Sequence, residues 1–215
     1  AHMMAAATTS LSGKIHQAMQ HHLAGLAVEA AKAVVEQRPS GTLADPTRVK
    51  ILTQTGGSMT DSSLVTGLVL GKKRVSDRMP KQLSSGKIAL VDGGLERREL
   101  MSNVKLNVST TGVLENFRQK EKAVLLEQIN HLVDLGVTLL ACKEGIDDDL
   151  HAALTDAGIQ AYRRVSRADL DLLARGTNAT LNNDVKGLTA TDLGVFIQST
   201  NERWNGVMHW IVETE

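Results

Sequence analysis

Val137-Thr138-Leu139-Leu140-Ala141, Asp148 to Ala157 with Gly158, Ile159-Gln160-Ala161-Tyr162, and Ser166 to Arg175 with Gly176 form the stretch that decides the fold. The two short apolar runs read as buried strands. The two longer runs, each closed by glycine, read as helices. Strands alternating with helices mark a layered α/β body. Ser166 with Asp169, and Thr189 with Asp192, have capping-box spacing, with Asp where Glu or Gln is commoner. Downstream, Val195 to Gln198 and Val207 to Val212 read as strands around Asn205-Gly206, a strong hairpin signal.

Immediately upstream the spacing predicts a long helix, about Gly112 to Leu135, roughly 35 Å at 1.5 Å per residue. Thr111 is its N-cap candidate, Glu115 suits the dipole of the first turn, and Gly136 ends it. Its C-terminal half has a broad apolar face of Val124, Leu125, Ile129, Leu132 and Val133. Its N-terminal half offers only Val113, Leu114 and Phe117 before the solvated run Arg118 to Lys122. A helix anchored at one end only is expected to project from its domain.

Further out, Leu64 to Leu70, Ile88 to Val91, Leu95 to Glu99 and Val104 to Val108 read as strands, with Met79-Pro80-Lys81 in a polar stretch between the first two. Ile15 to Val35 repeats apolar residues at helical spacing, and Pro39-Ser40-Gly41 stops it. Val49 to Leu52 is a short strand candidate, and Thr55 to Ser58 is loop. A boundary is placed near Gly67, separating a helical segment over 8–66 from an α/β domain over 67–215. Residues 1–7 read as a cloning scar and an Ala-rich lead.

Composition narrows the function classes. The 215 residues are 42% hydrophobic and 22% charged, ordinary values for a globular protein, but only 2% aromatic. The core must rest on Leu, Val, Ile, Met and Ala, and base stacking on aromatic platforms has almost no material. Zero formal net charge gives no basic field for nucleic acid or an anionic membrane. Cys142 is the only cysteine, so intramolecular disulfides and Cys-based zinc cages are excluded. No apolar run approaches the ~18 residues of a membrane span.

Candidate chemistry is sparse. Ser84-Ser85-Gly86-Lys87 resembles the tail of a phosphate loop, but Ile88 stands where Ser or Thr binds magnesium, and Lys81 where the first Gly belongs. Asp147-Asp148-Asp149 fan out by about 100° each on a helix, so they read as caps and dipole partners rather than as a metal cluster. His16, His21 and His22 contain no i, i+4 pair. Cys142 reads as packing, and Lys72-Lys73-Arg74 as a solvated loop. The stripe Ile146, Leu150, Ala153, Leu154, Ala157 reads as the face of its helix that packs on the sheet.

An ordered series of motifs resembles the group II chaperonins, the archaeal thermosome and the eukaryotic cytosolic ring chaperonin. It runs from Gly56-Gly57-Ser58 through Asp61 to Leu70, Lys73-Arg74-Val75, Met79-Pro80-Lys81 and Lys87 to Leu90. It continues with Cys142 to Asp148, Gly158-Ile159, Arg163-Arg164-Val165 and Asp192-Leu193-Gly194, covering nearly the whole chain. The resemblance implies an apical, polypeptide-binding domain over 67–215, with a helical lid protrusion about 109–123, and an intermediate-domain segment over 8–66. It makes Val113, Leu114 and Phe117 candidates for lid contacts or client capture, and Asp148, Asp149, His151, Ala152 and Thr155 candidates on the client-binding helix. Ser12-Gly13-Lys14 resembles the nucleotide-sensing loop, with Lys14 meeting phosphate only in the intact ring.

What the resemblance implies for this chain is a binding module that is not an enzyme and carries no cofactor. ATP and Mg belong to the equatorial domain of the intact parent. The implied partners are unfolded polypeptides and sister subunits of a double ring in the cytoplasm, with the isolated chain monomeric. Thr110-Thr111-Gly112 departs from the family's Asp-Pro before the protrusion, and Ala152-Ala153 from its His and aromatic pair. Two other readings stay open: a chaperonin-like scaffold without folding activity, and a small free-standing α/β enzyme using the Gly-rich loops or the acidic cluster.

Overall fold

A computed structural model describes residues 2–39, 41–96 and 111–214, with the side chains of 111–118 left out. The chain divides into two compact units, Ala1–Thr66 and Gly67–Glu215.

The first unit holds helices α1 (His2–Leu11) and α2 (Gln17–Ala33), followed by the hairpin β1 (Val35–Arg38) and β2 (Gly41–Ala44). The Ala-rich lead is helical because alanine is the strongest helix former. Gly13, at φ 74, turns the chain between the helices, and His16 Nδ1 accepts from Ala18 N–H at 3.3 Å to cap α2. Val49 to Leu52, read as a strand, has no strand partner among the described residues: Pro46–Arg48 forms a 3-10 turn and the segment runs on irregular, exposed from Lys50 to Leu52. The hairpin went unread because its strands, Val-Glu-Gln-Arg and Gly-Thr-Leu-Ala, carry little apolar alternation.

The second unit is built on a seven-stranded mixed sheet, ordered β3-β9-β8-β4-β5-β6, with β7 also paired to β4. Its strands are β3 (Gly67–Leu70), β4 (Gln82–Val91), β5 (Val137–Cys142), β6 (Gln160–Tyr162), β7 (Leu181–Asn182), β8 (Gly194–Trp204) and β9 (Val207–Glu213). Helices α3 (Thr111–Asp134), α4 (His151–Asp156) and α5 (Arg167–Thr177) connect the parallel strands β4, β5, β6 and β7. Asn205 at φ 47 and Gly206 at φ 82 make the tight turn between β8 and β9 that the Asn-Gly pair requires. The apolar reading stopped β8 at Gln198, whereas pairing with β9 carries it through the polar run to Trp204. The strand expected at Leu95 to Glu99 is, in its described part, a single bridge from Leu95 to Ile146. The one expected at Val104 to Val108 lies outside the described residues.

Two apolar clusters flank the sheet. One joins Leu125, Ile129 and Leu132 of α3 and Leu154 of α4 to Ala89, Val91 and Leu140. The other joins Leu170 and Leu173 of α5 to Ile88, Leu90, Leu139 and Val212. Each fully buried Leu here is worth about 1.5–3 kcal/mol in removal from water. The few aromatics concentrate in the second cluster, where Tyr162, Phe196 and Trp210 are buried. Helix α5 runs one residue past Gly176 and ends on Asn178, whose left-handed φ of 56 takes the role assigned to glycine.

Candidate functional site

The acidic run opens a 3-10 turn, Asp148–Leu150, that continues as α4. Leu150 and Leu154 are fully buried and fix the helix on the core, while Ala153 and Ala157 pack beside them. That leaves Asp148, Asp149, Ala152 and Asp156 exposed, with His151 and Thr155 half-buried. Thr155 Oγ1 donates back to His151 O at 2.6 Å, so its methyl group, more than its hydroxyl, is available to a partner. Helix α3 packs against α4.

The expected capping by the acidic run takes another form. Asp147 stands at the N-cap position without a side-chain hydrogen bond to the turn. Asp148 instead accepts from Arg163 Nη1 at 3.1 Å, and His151 Nε2 lies 3.4 Å from the same oxygen. Arg163 also donates to Ile146 O at 3.1 Å, so it clamps both sides of the turn that leads into α4. Arg163 stands out in the sequence only as part of the Arg163-Arg164-Val165 motif, because its partner lies fifteen residues upstream, across α4 and β6.

Along α3, Leu125, Ile129 and Leu132 are buried, whereas Gln119, Lys120, Lys122, Ala123 and Val124 are exposed and Glu121 is half-buried. The helix is therefore anchored by its C-terminal half through the described residues. His131 Nε2 pairs with Leu188 O at 2.9 Å in the last turn, and Lys87 Nζ donates to Leu135 O at 3.1 Å just beyond it. Val113, Leu114 and Phe117 lie on the backbone of this helix, but their side chains are outside the described residues, as are the caps proposed at Thr111 and Glu115.

Lys14 is exposed in the turn between α1 and α2. The phosphate-loop-like Ser84 to Lys87 lies within β4, paired with β8, and does not form a loop. Among the described residues no three His, Cys, Asp or Glu side chains are grouped to hold a metal ion. His16 caps α2, and His22 Nε2 lies 2.9 Å from Ser62 O. Burial pushes the Cys142 thiol up to about 12, which keeps it protonated and unreactive. Lys72-Lys73-Arg74 is not wholly solvated: Lys72 donates to Arg164 O, and Arg74 is buried.

At the C-terminal ends of the parallel strands, Asp92 pairs with Lys143 and with Arg167, each at 2.8 Å. Lys143 first, and Arg167 after it, hold this carboxyl below its usual range against partial burial. The arrangement joins β4, β5 and α5 into one rigid rim rather than leaving an open reactive group. Among the described residues, the exposed surfaces of α4 and of α3 from Gln119 to Val124 carry polar and small apolar side chains.

Comparison with known proteins gives a consistent picture. The TCP-1/cpn60 chaperonin family model matches residues 1–214. A thermosome subunit beta from Archaeoglobus fulgidus is 34% identical over 188 residues, covering 87% of this chain and 34% of that protein. A thermosome subunit alpha from Thermoplasma acidophilum is 33% identical over 188 residues, again 87% of this chain and 34% of the other. A group II chaperonin from Methanococcoides burtonii, solved as an open-state monomer, superposes with a TM-score of 0.73 at 27% identity, over 99% of this chain and 47% of that one. This chain spans about a third of the length of the curated relatives it matches. The chain belongs to the TCP-1/cpn60 chaperonin family, in its group II branch.

Proposed function

We propose that this chain is the polypeptide-capturing and built-in-lid module of an ATP-dependent group II chaperonin that assists protein folding. Residues 67–215 serve as the apical domain and 8–66 as an intermediate-domain segment. The observation that carries the reading is α3, buried at Leu125, Ile129 and Leu132 yet solvated from Gln119 to Val124, packed beside an α4 whose outer face is free of core duties. Non-native chains are gripped weakly by Asp148, Asp149, His151, Ala152 and Thr155, with Val113, Leu114 and Phe117 supplying lid or capture contacts. Many copies in a ring convert weak contacts into retention by avidity, and weak contacts permit release.

On this reading the energy comes from ATP and Mg bound in an equatorial domain of the parent subunit, and Lys14 meets nucleotide only there. The partners are unfolded polypeptides and sister subunits of a cytoplasmic double ring. Nucleic acid and membrane are not partners, and the isolated chain is a monomer. The test is twofold. Light scattering of a denatured client diluted into excess chain should rise more slowly than without it, while calorimetry with Mg-ATP should register no heat of binding. Tight ATP binding by this chain, or a client that aggregates at an unchanged rate, overturns the proposal.

A further inference from the structure

Asn205-Gly206 is the only Asn-Gly pair in the chain, and Asp92-Gly93 the only Asp-Gly pair. Both are open to the same reaction, attack of the glycine amide nitrogen on the preceding side-chain carbonyl carbon. Glycine alone has no Cβ beside the attacking nitrogen to block the approach. The structure separates the two pairs. Asp92 is held by Lys143 and Arg167, each at 2.8 Å, and its own N–H donates to Asn182 O at 2.8 Å. Gly93 is packed so closely that an added Cβ would lie 2.7 Å from Asn183 O. An ionised, ion-paired carboxylate is also a poor electrophile, so Asp92 resists the reaction.

Asn205 stands in the opposite setting. It is exposed with Gly206 at the tip of the β8–β9 hairpin, and nothing lies within 4 Å of a Cβ added at Gly206. Pairing of β8 with β4 stops at Thr200, and pairing of β9 with β3 covers only Trp210 to Glu213. Residues 202–209 therefore form a two-stranded ribbon with no third strand among the described residues. A lone hairpin is only marginally stable in water, so this tip opens while the sheet stays folded. Opening releases Asn205 from the left-handed φ of 47 that the turn imposes, and its side chain can swing to the Gly206 nitrogen.

We propose that Asn205 is a site of spontaneous deamidation, which converts the hairpin turn to aspartate or isoaspartate. The Gly206 nitrogen gives up its proton and bonds to Asn205 Cγ. The Cγ–Nδ2 bond breaks, and the side-chain nitrogen leaves as ammonia with that proton. Water then opens the cyclic imide at either carbonyl. One product is aspartate; the other routes the backbone through the side chain and lengthens it by one atom. That extra atom breaks the pairing of Trp204 with Val207 across the turn. Trp204, stacked on His209 at 4.5 Å and donating to Glu202 at 2.8 Å, then loses its support. The site does not depend on the proposed function.

The experiment ages the full chain beside a pentapeptide of the sequence Arg203 to Val207, in mildly alkaline buffer well below Tm. Mass spectrometry of proteolytic fragments follows the gain of about 1 Da as the amide becomes an acid. Conversion in the chain should fall on Asn205 and run no more than about a hundredfold slower than in the peptide, as a locally opening tip requires. Tryptophan emission should shift to the red in step with isoaspartate. Asn205→Asp keeps a turn-forming pair and should gain no mass. Gly67→Ala, which weakens the sheet, should leave the rate unchanged. Acceleration in proportion to the lost stability would place the reaction in the unfolded chain and overturn the proposal. A slower rate than that limit, or equal conversion at another asparagine, overturns it too.

Discussion

Tyr162 of β6 and Trp210 of β9 stack with ring centroids 3.7 Å apart and planes inclined by 10°. In the sheet order these strands are four steps apart, which in a flat sheet would separate them by about 19 Å at ~4.8 Å per strand. The sheet therefore curls until β6 faces β8 and β9 across the second apolar cluster. A polar chain follows the same path: Trp210 Nε1 donates to Ser199 Oγ at 2.9 Å, Ser199 Oγ to Gln160 Oε1 at 2.5 Å, and Gln160 Nε2 to Pro80 O at 2.7 Å. Gln160 and Ser199 are both fully buried, so these hydrogen bonds replace the water they have lost.

That closure rests in part on the stack, which is therefore sensitive to truncation. Tyr162→Ala should cost about 3–5 kcal/mol, as other large-to-small aromatic changes in cores do. Trp210→Phe keeps the stack but deprives Ser199 of its donor, at about 1–3 kcal/mol. Urea unfolding followed by circular dichroism measures both, and equal losses for the two variants would contradict the account.

Asp92 sets an acid dependence. A carboxyl held low in the folded chain adds stability above its unfolded value, near pH 4, and that contribution disappears as pH falls through the folded value. Asp92→Asn should therefore lower Tm at neutral pH and narrow its gap from wild type as the pH drops from about 5 to 2. A gap that stays constant over this range would show that Lys143 and Arg167 do not act through charge.

Gly67 opens β3 at φ +137, and a Cβ there would lie 2.0 Å from Val212 O. Backbone cannot move aside as a flexible side chain can. Gly67→Ala should destabilise the second unit by roughly 1–3 kcal/mol, read from denaturant midpoints. Gly25, with nothing within 4 Å of an added Cβ, is the matched control: Gly25→Ala lies inside α2 and should be neutral or slightly stabilising.

Ala152 separates client contact from folding. It is exposed on α4, so Ala152→Glu should leave Tm within about 2 °C of wild type, since surface changes stay near ±0.5 kcal/mol. The same change adds a negative charge to an acidic surface and should alter the rate at which a denatured client aggregates in the presence of the chain. An unchanged rate would move the capture surface off α4.

The α/β alternation was legible from Val137 to Gly176 because each element there carries its own period and its own stop signal. The hairpin at Asn205-Gly206 was legible for the same local reason. Three features were not. β1 and β2 hide in polar residues, the outer half of β8 is held only by its pairing with β9, and the stack of Tyr162 on Trp210 joins residues with no periodic relation. At the candidate site, α4 and its exposed residues were readable from spacing and resemblance. The Arg163 clamp and the burial of Arg74 were not, since Arg163, Arg74 and their neighbours meet only in three dimensions.

Val75 N–H donates to Ala161 O at 3.0 Å along the outer side of β6, and Gln160 reaches Pro80 on the same loop. The Ala161 carbonyl on the edge of the terminal strand is thus taken by its own chain, and β3 at the opposite end is only four residues long. On the proposed function, a surface that holds extended, unfolded chains nearby would invite them to add on at a free edge as further strands and seed fibres. The loop over β6 takes the carbonyl of Ala161 out of reach and so limits the backbone template that a captured chain could copy.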